Sequence, residues 1–190
     1  RRIKDAAGGI PLIFTIRSAK EGGTPIALHE SDVLKLYVAA CASRCVEIID
    51  YELSNPVGSI ERLRSTSRDN DVAMIMSFHD FVFTPESSAI SAKFMEAERL
   101  GADIAKVAVM PQSEADVLTL LGASLQASTA CKIPLISMSM GGYGAITRLF
   151  GGVFGSAMSF AVGATASAPG QVPIEDMNAI TTLLRKAMGN

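Results

Sequence analysis

Apolar and polar positions along the chain follow two alternating periods. Short, near-continuous apolar runs recur at 11–17 (PLIFTIR), 46–53 (VEIIDYEL), 71–80 (DVAMIMSFHD), 102–110 (ADIAKVAVM), 134–140 (PLISMSM) and 156–162 (SAMSFAV). Their length and β-forming content predict strands covered on both faces. Between them the period changes to that of a helix. From His29, residues Val33, Leu34, Tyr37, Val38 and Cys41 fall on one stripe. Further helices are predicted over 57–68, over 86–102 with its end at Gly101, over 143–150, and from Ile174 towards the last residues. Another opens at Ser113, with Glu114 and Asp116 in the first turn, where the positive end of the helix dipole favours acids.

Strand and helix alternate without interruption at about 30 residues per repeat, the size of a βαβ unit. This predicts an α/β fold with a parallel sheet. No GxGxxG or GxxxxGK[ST] follows any strand, so the phosphate-binding loop of a nucleotide fold is missing. The expectation is therefore a (β/α)8 barrel. It forms one domain over residues 1–190, with six βα units visible where the closed barrel has eight.

Composition narrows the function. Of 190 residues 48% are hydrophobic and 19% charged, and the net charge is −2. A basic surface for nucleic acid or an anionic membrane is not expected. No apolar run reaches the ~18 residues of a membrane span. A cytoplasmic protein acting on a small molecule is the expectation. Cys41, Cys45 and Cys131 include no CxxC pair, and there are two histidines. Reduced thiols and no metal site are expected.

In such barrels the chemistry sits at the carboxyl ends of the strands. Polar residues collect there: Arg17 and Glu21 after the first strand, Ser77 and His79 on one face of the third, Lys106 in the fourth, Arg148 after the fifth, and Ser167 and Gln171 after the sixth. Lys106 lies among small apolar residues. Burial lowers a lysine's pKa, and a neutral amine attacks carbonyls. The plainer reading is a strand-end lysine that reaches water or pairs with Asp50 or Glu52, acids that share one face of the second strand. His79 suits a general acid/base or a structural hydrogen bond. Glu21 would orient an imidazole or, taken by itself, be a solvated loop carboxylate. Arg17 and Arg148 are planar forks for a carboxylate or for structural ion pairs. Met138 and Met140 read as wall.

Taken together, FTIRSAKEGG, MSFHDF, ADIAKVAVMPQ, LISMSMG and SAPGQ, in this order, resemble type I 3-dehydroquinate dehydratase from about residue 11 to 178. The resemblance implies a (β/α)8 lyase of the shikimate pathway. It would convert 3-dehydroquinate to 3-dehydroshikimate by a syn elimination, with no metal or cofactor, as a homodimer. It implies Lys106 as the Schiff-base lysine, His79 as general acid/base and Glu21 as its paired carboxylate. Arg17 and Arg148 become substrate binders, with Arg148 the carboxylate clamp, and Ser167 and Gln171 belong to the closing loop. The family also has two βα units before the first strand seen here, the second carrying a Glu-x-Arg motif absent from this sequence. With Arg1 at the start, the chain resembles a member lacking about a quarter of its barrel, two units of eight. Two other readings stand beside this one: an aldolase-like Schiff-base barrel, and an inactive barrel fragment.

Overall fold

The computed structural model describes residues 2–189. The elements run α1 (Arg2–Ala6), β1 (Ile13–Thr15), α2 (Glu30–Ala42), β2 (Ile48–Glu52), α3 (Val57–Asp69), β3 (Ala73–Asp80), α4 (Ser87–Arg99), β4 (Ile104–Val109), α5 (Glu114–Ala130), β5 (Leu135–Ser139), α6 (Gly141–Phe150) and α7 (Ile174–Ala187). Short 3-10 turns cover Ala19–Glu21 and Gly151–Phe154. The strands form one sheet in the order β1-β2-β3-β4-β5, as a series of βα units demands. Among the described residues, no helix is long and apolar enough to cross a membrane.

The chain divides into two compact units. The first contains residues up to Phe78 together with Glu96–Lys106. Here β1 pairs with β2 and β2 with β3, both parallel, with Thr15 opposite Asp50 and Glu52 opposite Ser77. Because strand side chains alternate, Ile49 and Tyr51 go to one face of β2, and Asp50 and Glu52 to the other. The apolar face is closed by α2 and α3 through Tyr37, Ile60 and Leu63, all essentially inaccessible. Tyr37 meets Phe14 and Tyr51 edge to face, with ring centroids 5.1 and 4.9 Å apart.

The Tyr37 hydroxyl also fastens the end of the first strand. It accepts from Ile16 N at 2.7 Å and donates to Asp50 O at 2.9 Å. Burial pushes the phenol pKa up to about 12, so it stays a donor. Tyr37→Phe leaves Ile16 N–H without its acceptor, at a cost of about 1–3 kcal/mol. Thermal unfolding should then move down by roughly 2–4 °C per kcal/mol; an unchanged Tm would contradict the placement. At the start of β4, Asp103 takes both Arg64 Nη atoms at 2.6 and 2.7 Å, and accepts from Met74 N at 2.7 Å. That contact sets the register in which Lys106 follows.

The second unit contains His79–Met95 and the chain from Val107. Helices α5 and α6 pack on β5, and α7 packs on α6. Helix α5 opens after Ser113, as predicted, and the Ser113 side chain caps it by accepting from Asp116 N. Leu120, Leu135, Ile136 and Met140 form the buried interior, and Met138 joins them.

The strand predicted over 156–162 is a correction. This stretch makes only isolated parallel bridges, Ser156 with Leu135 and Val162 with Pro173. The cause is Ser156 itself. Its Oγ accepts from Ser137 N at 3.0 Å and donates to Met158 O at 3.1 Å, occupying groups that a ladder would use. The first turn of chain, α1, was not predicted: five residues are too few to show a helical period.

Candidate active site

In the first unit the carboxyl ends of the strands bring together a buried cluster of charge. Lys106, on β4, is 7% exposed, and Nζ donates to Asp50 Oδ2 at 2.7 Å. The other oxygen of Asp50 accepts from Ser77 Oγ at 2.6 Å and from Arg17 Nη2 at 2.9 Å. Arg17 Nη1 reaches Glu52 Oε1 at 3.0 Å and Ser77 Oγ at 2.9 Å. Glu52 Oε1 also accepts from Ser18 N at 2.7 Å.

Glu21 completes the cluster. It is 4% exposed, so the solvated-loop reading is overturned. Its Oε1 accepts from Ser54 Oγ at 2.7 Å, and its Oε2 lies 3.8 Å from Arg17 Nη1. The Gly22–Gly23 turn puts it there. Gly22 takes a left-handed φ of 86°. A Cβ on Gly23 would stand 1.9 Å from Arg17 O, so only glycine lets the loop fold back onto Arg17.

Two cations, Arg17 and Lys106, thus face three buried carboxylates, Glu21, Asp50 and Glu52. Burial alone would raise the Asp50 carboxyl, but the charges of Lys106 and Arg17 outweigh it and hold Asp50 well below the usual carboxylate range. Lys106 moves the other way from what its pairing with Asp50 would suggest. Burial lowers its pKa, Asp50 opposes that, and Arg17 adds to the lowering. The amine is therefore easier to deprotonate than an ordinary lysine.

In the second unit Arg148 projects from α6. It is 3% exposed, yet its contacts are uncharged: Nη1 with Phe160 O at 3.3 Å and Met138 Sδ at 3.5 Å, Nη2 with Pro169 O at 3.1 Å. Its Nε is buried with no hydrogen-bond partner among the described residues. Burial lowers its pKa, with no carboxylate among the described residues to offset this. The loop it touches is the predicted one. Gln171 Oε1 accepts from Ser167 N at 2.7 Å and from Ala168 N at 3.3 Å, closing the loop on itself. Gly170 has φ +73°, and a Cβ there would meet Gly141 O at 2.2 Å, so the loop lies directly on the start of α6. His79 is half-buried at the end of β3 and stacks on Phe81, with centroids 6.5 Å apart and planes at 25°.

The structure thus brings Arg17, Glu21 and Lys106 into one cluster, and Arg148 to the loop of Ser167 and Gln171. It adds residues to which the sequence reading gave no site role: Ser77 and Ser54 as donors, and Asp50 and Glu52 as the acids that engage Arg17. The available signal was two acids at strand spacing in the apolar run VEIIDYEL. Among the described residues, no group of three or more His, Cys, Asp or Glu side chains is arranged to hold a metal ion.

A parallel sheet in chain order, alternating helices and a buried lysine among polar strand ends are the features of an α/β-barrel enzyme. Residues 1–188 match the model of the Type I 3-dehydroquinase family. The chain belongs to that family. It is 56% identical over 190 residues to a 3-dehydroquinate dehydratase of Albidiferax ferrireducens, covering 100% of this chain and 72% of the relative. The solved 3-dehydroquinate dehydratase of Geobacillus kaustophilus is similar with a TM-score of 0.95 at 48% identity, over 97% of this chain and 71% of that one. The type I enzyme of Clostridium difficile, described with covalently modified comenic acid, gives a TM-score of 0.94 at 36% identity, over 98% and 73%.

Proposed function

We propose that this enzyme dehydrates 3-dehydroquinate to 3-dehydroshikimate, a step of the shikimate pathway, through an imine on Lys106. The observation that carries this reading is the buried Lys106 amine, with its pKa lowered by burial. Such an amine keeps a neutral, nucleophilic fraction at pH values where an exposed lysine is wholly protonated. The names of the relatives support the substrate, and the covalently modified compound in the Clostridium difficile enzyme supports a nucleophile in the family. The same names favour the dehydratase over an aldolase-like barrel.

In this mechanism Nζ attacks the ketone carbon, and the ketone oxygen leaves as water. The resulting iminium withdraws electrons from the adjacent carbon. His79 removes a proton there, leaving an enamine. The enamine expels the neighbouring hydroxyl, which leaves as water with the proton His79 returns. A single group acting first as base and then as acid on one face suits a syn elimination. Water then releases the product from Lys106. Glu21, on this reading, holds the imidazole in its working tautomer.

The two arginines divide the binding work according to their surroundings. Arg17 is committed to carboxylates of its own chain, so its part is to present the cluster and meet an uncharged substrate group. Arg148 is a buried guanidinium with no acid beside it among the described residues, which is the environment a carboxylate clamp requires. Ser167 and Gln171 hold the loop against it. Activity is measured as the conjugated enone of the product appearing from 3-dehydroquinate. Arg148→Ala should raise KM by roughly 30-fold or more, the equivalent of about 2 kcal/mol for a lost charge contact. An unchanged KM would remove Arg148 from the substrate site, and a folded wild-type enzyme with no enone formation would overturn the assignment.

A further inference from the structure

We infer that Asp50 is the positioning residue of Lys106: its Oδ2 aims the amine and remains the acceptor of the N–H that the iminium keeps. This rests on the imine reading of Lys106 and adds a residue to it.

Asp50 lies on β2 with 2% exposure and has a different task for each oxygen. Oδ1 is held by Ser77 Oγ and Arg17 Nη2, which fix the plane of the carboxylate. Oδ2 is thereby turned to Nζ, at 2.7 Å. Lys106 ends a flexible four-carbon stem, and a hydrogen bond at this distance selects the conformations in which Nζ is presented. Glu52, on the same face of the same strand, is engaged by Arg17 and Ser18 instead. The charged groups of the cluster are therefore Asp50 and Glu52 from β2, Arg17 from the end of β1, Glu21 from the turn after it, and Lys106 itself.

The chemistry gives that contact a purpose. In imine formation the neutral amine, the ketone and one proton become iminium and water. The Nζ–C bond forms, the C–O bond breaks, and the nitrogen keeps one hydrogen. Asp50 stays a carboxylate throughout. A fixed anion at Nζ opposes the loss of positive charge, both from the ammonium and from the iminium. Burial pulls Lys106 towards neutrality, and Asp50 limits how far that goes. Attack needs the first influence, and the electron-sink step needs the second.

The test follows the pH dependence of borohydride trapping with 3-dehydroquinate, together with kcat/KM, in the wild type and in Asp50→Asn. Removing the charge makes the cation less favourable. The limb that reports Lys106 deprotonation should move to lower pH by about one to three units, the usual effect of one opposite charge at close range. The iminium loses the same anion, so the adduct trapped at pH values above that limb should fall by roughly tenfold for each unit the limb moves. Glu52→Gln, a similarly buried change at an acid held by Arg17 and Ser18, should move the limb less. If Asp50→Asn does not fold, Ser77→Ala carries the test with the opposite sign. It removes a donor from Oδ1, leaves the Asp50 charge less neutralised, and should move the limb to higher pH. An adduct in the wild type with a limb unmoved in Asp50→Asn, or moved equally in Glu52→Gln, overturns this inference alone. A limb unmoved or lowered in Ser77→Ala does the same. No adduct in the active wild type overturns the imine reading, and this inference with it.

Discussion

Lys106→Met should lose turnover of 3-dehydroquinate by on the order of a million-fold, the scale of deleting a covalent nucleophile. Methionine keeps the length and much of the apolar stem while removing Nζ, so the buried space at this position stays filled. Asp50 keeps Arg17 and Ser77 as partners, and the cluster is not left bare. The loss should therefore be chemical and appear in kcat, with the circular dichroism of the fold unchanged. The imine pathway closes entirely, and what remains is the uncatalysed elimination plus whatever orientation the site gives. Turnover within about a hundredfold of wild type, the scale of losing an acid–base contact, would show that Nζ is not the nucleophile.

His79→Ala should separate the two halves of the reaction. Imine formation depends on the Lys106 amine, and elimination on the imidazole. The variant should still be trapped by borohydride with undehydrated substrate attached. Its dehydration rate should fall by roughly a hundred- to ten-thousand-fold, the contribution of a positioned general acid/base. The observable is a mismatch: adduct present, enone nearly absent. Normal turnover by this variant would return His79 to a structural role, and loss of both adduct and enone would place it before the imine instead.

Most of the architecture was legible because the strands carry their pattern openly. VEIIDYEL, DVAMIMSFHD and ADIAKVAVM are apolar runs of strand length between helical stripes, and each became a strand shortened by one or two residues at one end or both. SAMSFAV has the same appearance, but a serine at its first position binds the neighbouring backbone through its side chain. Periodicity does not register that competition, because it counts polarity and not where a hydroxyl points. The site was legible where a residue contradicts its surroundings, as Lys106 does in ADIAKVAVM. It was illegible where only three-dimensional partners decide. Arg17 and Arg148 look alike in sequence, yet one is spent on Asp50 and Glu52 while the other is buried among carbonyls. Glu21 sits in a glycine-rich loop that reads as solvated, and the close approach of Gly23 to Arg17 buries it.

The pairing of Lys106 with Asp50 also shows why the two early readings of that lysine do not compete. A buried ion pair is a structural fact about the resting cluster, and the same contact leaves Nζ oriented and short of full solvation. Strongly perturbed lysines concentrate at functional sites for this reason.

The most direct measurement is the mass of the intact enzyme after borohydride treatment in the presence of 3-dehydroquinate, followed by peptide mapping. One covalent adduct per chain is expected, on the peptide that carries Lys106, and none without substrate. An enzyme that turns over substrate yet gains no mass, or gains it on another lysine, would contradict it.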